Sequence, residues 1–79
     1  MVRYFYYPVL QTRTLPEENI AYTSYGMSVL KIHNGSATPI QLVSDVSLDR
    51  DSVFTLSYWC TFKQLSPIHL IDVILDALN

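Results

Sequence analysis

The sequence predicts an α+β domain of order β-β-β-α-α: a three-stranded antiparallel meander followed by two helices packed on one of its faces. Three observations predict it. Up to about residue 48, β-branched and aromatic side chains dominate and turn signals punctuate them. Asn34-Gly35 supplies the two positive-φ residues of a type I′ hairpin turn. Beyond Leu48 the apolar spacing turns helical, and Ser66-Pro67 marks a second helix start.

Each element follows from its residues. A first strand over residues 2–13 alternates Val2, Tyr4, Tyr6, Pro8 and Leu10 on one face with Arg3, Phe5, Tyr7, Val9, Gln11 and Arg13 on the other. Pro8 removes a ladder donor, so this strand belongs at an edge or carries a bulge. Leu15-Pro16-Glu17-Glu18-Asn19 is a polar turn. The second strand, Ile20 to His33, is expected to break or bulge at Gly26, and the third covers Thr38 to Val46. Ser47, Asp49 and Asp51 are candidate caps for a helix ending near Gln64. Its acidic start suits the positive end of the helix dipole. Val53, Leu56 and Cys60 share one stripe; Phe54, Tyr58, Phe62 and Leu65 share another, and Trp59 stands apart. The second helix is expected from Pro67 to the C-terminus, with Ser66 as cap and proline where its missing N–H costs nothing.

That last helix is apolar on nearly every side. His69, Asp72 and Asp76 form its polar stripe, while Ile68, Leu70, Ile71, Val73, Ile74, Leu75, Ala77 and Leu78 occupy the rest. A helix of this kind must be covered from several directions. One short sheet and one other helix cover about two, so the remainder is either exposed, as an interaction site, or supplied by another chain.

Composition narrows the function classes. Seventy-nine residues allow one domain, which hides only about 60–65% of the surface that the unfolded chain exposes. Charged residues are 15% of the chain and hydrophobic ones 49%, which excludes intrinsic disorder and points to more apolar surface than a lone monomer shows to water. The five cations are scattered and outnumbered by seven acids, so they do not form the phosphate-binding footprint of a nucleic-acid protein. A nucleic-acid-associated regulator, the alternative reading, needs Arg3, Arg13, Lys31 and Lys63 gathered on one surface. Cys60 is the only cysteine, which rules out an internal disulfide and makes the cytoplasm the expected compartment. No stretch reaches the ~18 consecutive apolar residues of a membrane span, and the N-terminus lacks the apolar core of a signal peptide.

The chemical constellations are thin. His69, Asp72 and Asp76 share a helical face, but no second cluster of ligands accompanies them, so a solvated stripe explains them better than a metal half-site. A metal-binding protein or enzyme, a further alternative, needs them to converge with residues of a second chain across a dimer axis. Cys60 with His69 or His33 has the residue types of a nucleophile and its base, yet its stripe position fits a small buried hydrophobe. Ser66 is explained by its capping role. Tyr4, Phe5, Tyr6 and Tyr7 make either a base-stacking platform or cross-strand packing, and the shortage of neighbouring cations favours packing. The acidic, apolar second helix does not suit a DNA-reading helix-turn-helix. No cofactor motif is present, and no catalytic or metal-ligating residue is assigned.

The stretch Leu65-Ser66-Pro67-Ile68-His69-Leu70-Ile71-Asp72-Val73-Ile74-Leu75-Asp76, with Tyr25-Gly26-Met27 and Val43-Ser44-Asp45-Val46-Ser47, resembles a family of short uncharacterised bacterial proteins (a domain of unknown function), mostly from clostridia-like Firmicutes. The resemblance covers the chain from about residue 20 onward. Leu75 stands where an acidic residue is expected in the motif, which makes the helix more apolar still. The resemblance implies a free-standing cytoplasmic bacterial domain and carries no activity over.

The expected function is a small non-enzymatic interaction or regulatory module, dimeric through its C-terminal helix, that docks an unidentified protein partner. Tyr58, Trp59, Phe62, Leu70, Val73 and Ala77 are the candidate interaction surface. Tyrosine and tryptophan bury much area while keeping a polar handle, which suits both cores and contacts.

Overall fold

Residues 1–78 are described by the structure, a computed structural model. Strand β1 (Val2–Leu15) pairs antiparallel with β2 (Ile20–His33), which pairs antiparallel with β3 (Ser36–Ser47), giving the sheet order β1-β2-β3. Helix α1 (Arg50–Phe62), one 3-10 turn (Pro67–His69) and helix α2 (Leu70–Leu78) follow. The β-β-β-α-α order is as the sequence predicts, and Pro8 sits on an edge strand.

The turns have the chemistry expected of them. Asn34 and Gly35 both adopt positive φ, 51° and 78°, as a type I′ turn requires. β2 is not broken at Gly26; the irregularity lies in its pairing with β3, where the register shifts between Tyr25 and Met27. A Cβ on Gly26 would stand 2.7 Å from the Val43 carbonyl oxygen and 2.7 Å from the Gln11 side-chain oxygen, so only glycine admits this approach. A second shift between Val29 and Leu30 falls beside Pro39.

The first and third strands are longer than expected, ending at Leu15 and starting at Ser36, because a four-residue turn and the tight Asn34-Gly35 turn let pairing run to the hairpin ends. Asp49 is the cap of α1, accepting from the Asp51 N–H at 3.2 Å. The helix stops at Phe62, not Gln64. Gln64 takes a left-handed φ of 52°, the Leu65 N–H donates to the Cys60 carbonyl at 3.0 Å, and the Gln64 N–H donates to Thr61. That is a Schellman closure with glutamine in the usual glycine position.

The last helix also differs at its start. Pro67 opens a 3-10 turn rather than α-helix, and Ser66 makes no side-chain capping bond. The His69 N–H closes instead onto the Ser66 carbonyl at 3.0 Å, the i→i+3 bond that tightens a helix end.

The core lies between the sheet and the helices: Tyr6, Met27 and Val29 from the strands, Val53 and Cys60 from α1, Leu70 and Ile74 from α2. The Tyr6 hydroxyl donates to the Leu65 carbonyl, tying the centre of the sheet to the link between the helices.

Candidate interaction surface

Helix α1 turns Val53, Ser57 and Cys60 inward and leaves Phe54, Tyr58, Trp59 and Phe62 outside. Tyr58 is 63% exposed, Trp59 47% and Phe62 67%. These rings are organised among themselves: Tyr58 and Phe62 stack at 6.1 Å, and Trp59 meets Phe62 edge-on at 5.8 Å. Trp59 thus joins the outer aromatic stripe, while Leu65 leaves it and packs on the core. Arg50 lies over the Phe54 ring at 4.7 Å and Lys63 over Trp59 at 5.7 Å, so two cations frame the patch.

Helix α2 contributes unevenly. Leu70 does not belong to the surface: it is fully buried, because the 3-10 turn seats it directly over the core. Val73 is half-buried against that core, and Ala77 is exposed. Ala77 and Leu78 face Leu56, Thr55 and Trp59 across a groove of about 470 Å³ whose other end carries Asp49 and Asp51. Of the six expected residues, Tyr58, Trp59, Phe62 and Ala77 stand exposed on α1 and α2, with Trp59 and Ala77 lining one groove. Val73 lies at the margin.

The expected shortage of cover for this helix holds in part. The chain itself buries Leu70 and Ile74 and half-covers Val73 and Leu78. Ile68 remains 81% exposed, Ile71 47% and Leu75 53%. Ile71 and Leu75 line a second depression against Val43 and Val46 of β3. The periodicity showed that cover was short; the side left open depended on where α2 docks.

Among the described residues no group of three histidine, cysteine or acidic side chains converges on a metal position, and His69, Asp72 and Asp76 all face solvent. Cys60 is buried and burial pushes its thiol pKa up, which disfavours the nucleophilic thiolate. The cations do not gather either. Arg3 and Lys31 sit on opposite faces of the sheet by strand alternation, and Arg13 is ion-paired with Asp45 at 3.1 Å.

A family model matches residues 2–79, nearly the whole chain. The chain belongs to DUF6514, a family of unknown function. Nothing among curated proteins or solved structures matches it. Among the described residues of this DUF6514 member, no helix is long and apolar enough to cross a membrane. The family assignment carries no chemistry, so the surface itself is the guide to function.

Several contributors were not expected. Thr61 and Gln64 grip β1: Gln64 accepts from the Tyr4 N–H and donates to the Tyr4 carbonyl, both at 2.9 Å. Thr61 accepts from the Tyr6 N–H at 2.8 Å and donates to its carbonyl at 3.1 Å. No local signal announces such bonds between residues about sixty positions apart.

Proposed function

We propose that this DUF6514 member is a small non-enzymatic protein-interaction or regulatory module that self-associates through its C-terminal helix and docks a protein partner on the aromatic face of α1. One observation carries the reading: four aromatic rings of α1 stand outside, continuous with a groove whose opposite wall is Ala77 and Leu78. Exposed apolar surface of this kind marks interaction sites. The reading places the module in the bacterial cytoplasm, in a Firmicutes setting. Its lone buried thiol and the resemblance of the segment around Ser66-Pro67 support that placement.

Trp59 is the only tryptophan and lines the groove, so it reports directly on contact there. Dilution from 100 to 1 µM is expected to lower the sedimentation-average mass toward that of the 9.1 kDa chain and to red-shift Trp59 emission. Phe62→Glu with Ala77→Glu, two changes at exposed positions, is expected to weaken self-association at least tenfold with unchanged far-UV circular dichroism. Association unaffected by the pair of changes overturns the helix reading.

A further inference from the structure

We infer that the outer edge of β1 from Leu10 to Thr14 pairs with the same segment of a second copy, joining two three-stranded sheets into one of six strands. The direction of this edge follows from the clasp by α1. The N–H and C=O groups of Tyr4 and Tyr6 bond Gln64 and Thr61, so these residues turn their backbone polar groups away from β2. The register of β1 with β2 runs without a shift from Val2 to Leu15. Alternation therefore turns the backbone groups of Pro8, Leu10, Thr12 and Thr14 outward as well.

Other stretches of the sheet margin are blunted, although β2 from Ile20 to Ser24 also runs past the end of β3. Gln64 and Thr61 cap the start of β1. β3 carries Pro39, two register shifts and a left-handed Asp45 at φ 53°, and α2 lies along it near Val43 and Val46. These are the devices by which proteins blunt an edge. Between Pro8 and Pro16 the pairing of β1 with β2 carries no bulge, Leu10, Thr12 and Thr14 are exposed, and the one charge, Arg13, is paired with Asp45.

A second copy of the chain, rather than a foreign strand, fits the spacing. Pro8 and Pro16 lie four residues to either side of Thr12. A two-fold axis through Thr12 sets Thr12 opposite Thr12, Leu10 opposite Thr14 and Val9 opposite Leu15 of the second copy, with donor-less Pro8 facing donor-less Pro16. Every outward donor in the window then meets an acceptor, and the prolines end the pairing at both sides. No like charges fall opposite one another, and Thr–Thr is a favourable cross-strand pair. Val9 meeting Leu15 extends the apolar stripe of Phe5 and Tyr7, which stack at 5.5 Å on the helix-free face. Seven residues a side make a contact of the small, transient class, so association belongs in the micromolar range.

The test uses the full chain carrying Phe62→Glu and Ala77→Glu, so that the proposed helix contact is removed. That chain is expected to dimerise in sedimentation velocity at 100 µM. In the dimer the Leu10, Thr12 and Thr14 amides should exchange hydrogen at least tenfold more slowly than on dilution to 1 µM. Leu10→Lys places a charge on the open edge, and Thr12→Pro removes an outward donor that β2 does not use. Each should weaken association at least tenfold and leave circular dichroism unchanged. A dimer that both edge variants leave intact overturns the inference. So does a helix-variant chain that stays monomeric at 100 µM while the unaltered chain associates, and in that case the helix reading stands. Association lost in the edge variants yet undiminished by the helix changes has the opposite meaning.

Discussion

Tyr6 concentrates the physics of this fold in one side chain. It is 2% exposed, its hydroxyl donates to Leu65, and its backbone is held by Thr61. Burial pushes its phenol pKa up to about 12, with Cys60 and Tyr4 adding to the effect. The unfolded chain ionises this phenol near pH 10, so the stability it lends is complete below pH 10 and is lost as pH climbs from 10 to 12. The loss amounts to about 2–3 kcal/mol. Urea titrations at pH 8 through 12 should show this loss. Tyr6→Phe should flatten it while lowering stability at pH 7 by about 1 kcal/mol, since the Leu65 carbonyl loses its donor. An equal alkaline slope in Tyr6→Phe would assign the effect to other groups. Gly26 is the other residue under tight control, and its need was half visible: glycine marked an irregularity, but the partner of the bulge, β3, was not given by local sequence.

At the scale of elements, the informative joint is the end of α1 against β1. Gln64 takes a conformation that glycine adopts freely and glutamine adopts at a cost of about 1–2 kcal/mol. Its side chain then bonds both backbone groups of Tyr4, acting as a fragment of a fourth strand. Gln64→Ala keeps the strained φ and loses both bonds, so it is expected to destabilise by about 1–3 kcal/mol. Gln64→Gly loses the same bonds but relaxes the backbone, and should cost about 1 kcal/mol less. Thermal melts of the two variants check this ordering; equal melting temperatures would show that the strain is not there. The same joint explains the misplaced helix end. A local Schellman closure ends the helix two residues before Gln64, and the clasp on Tyr4 engages Gln64 in its left-handed conformation.

The whole molecule is long for its size, 48 × 26 × 19 Å. β3 pairs with β2 no further than Tyr25, so Gln11–Leu15 and Ile20–Ser24 form a two-stranded ribbon tied to β3 through the side chains of Gln11, Arg13 and Ser24 at Asp45. An isolated two-stranded ribbon is marginal in water. Native-state hydrogen exchange should therefore find two tiers in the monomer. Inward amides of the ribbon should exchange through local opening, and those around Tyr6, Val29 and Val53 only through global unfolding. Uniform protection across both would mean that the ribbon and the core open as one unit.

By itself the sequence determined the order of elements, the Asn34-Gly35 turn, the edge position of the Pro8 strand and the inward stripe of α1 through Val53 and Cys60. These are local matters: backbone preferences and periodicity act within a few residues, and no distant partner overrides them. The tertiary structure alone decided that Leu70 is core, that Ile71 and Leu75 are left outside, and that Gln64 and Thr61 close half of one sheet edge. Those outcomes depend on the angle at which α2 docks and on contacts spanning about sixty positions. Hydrophobic spacing shows how much surface must be hidden; only packing in three dimensions selects which atoms hide it.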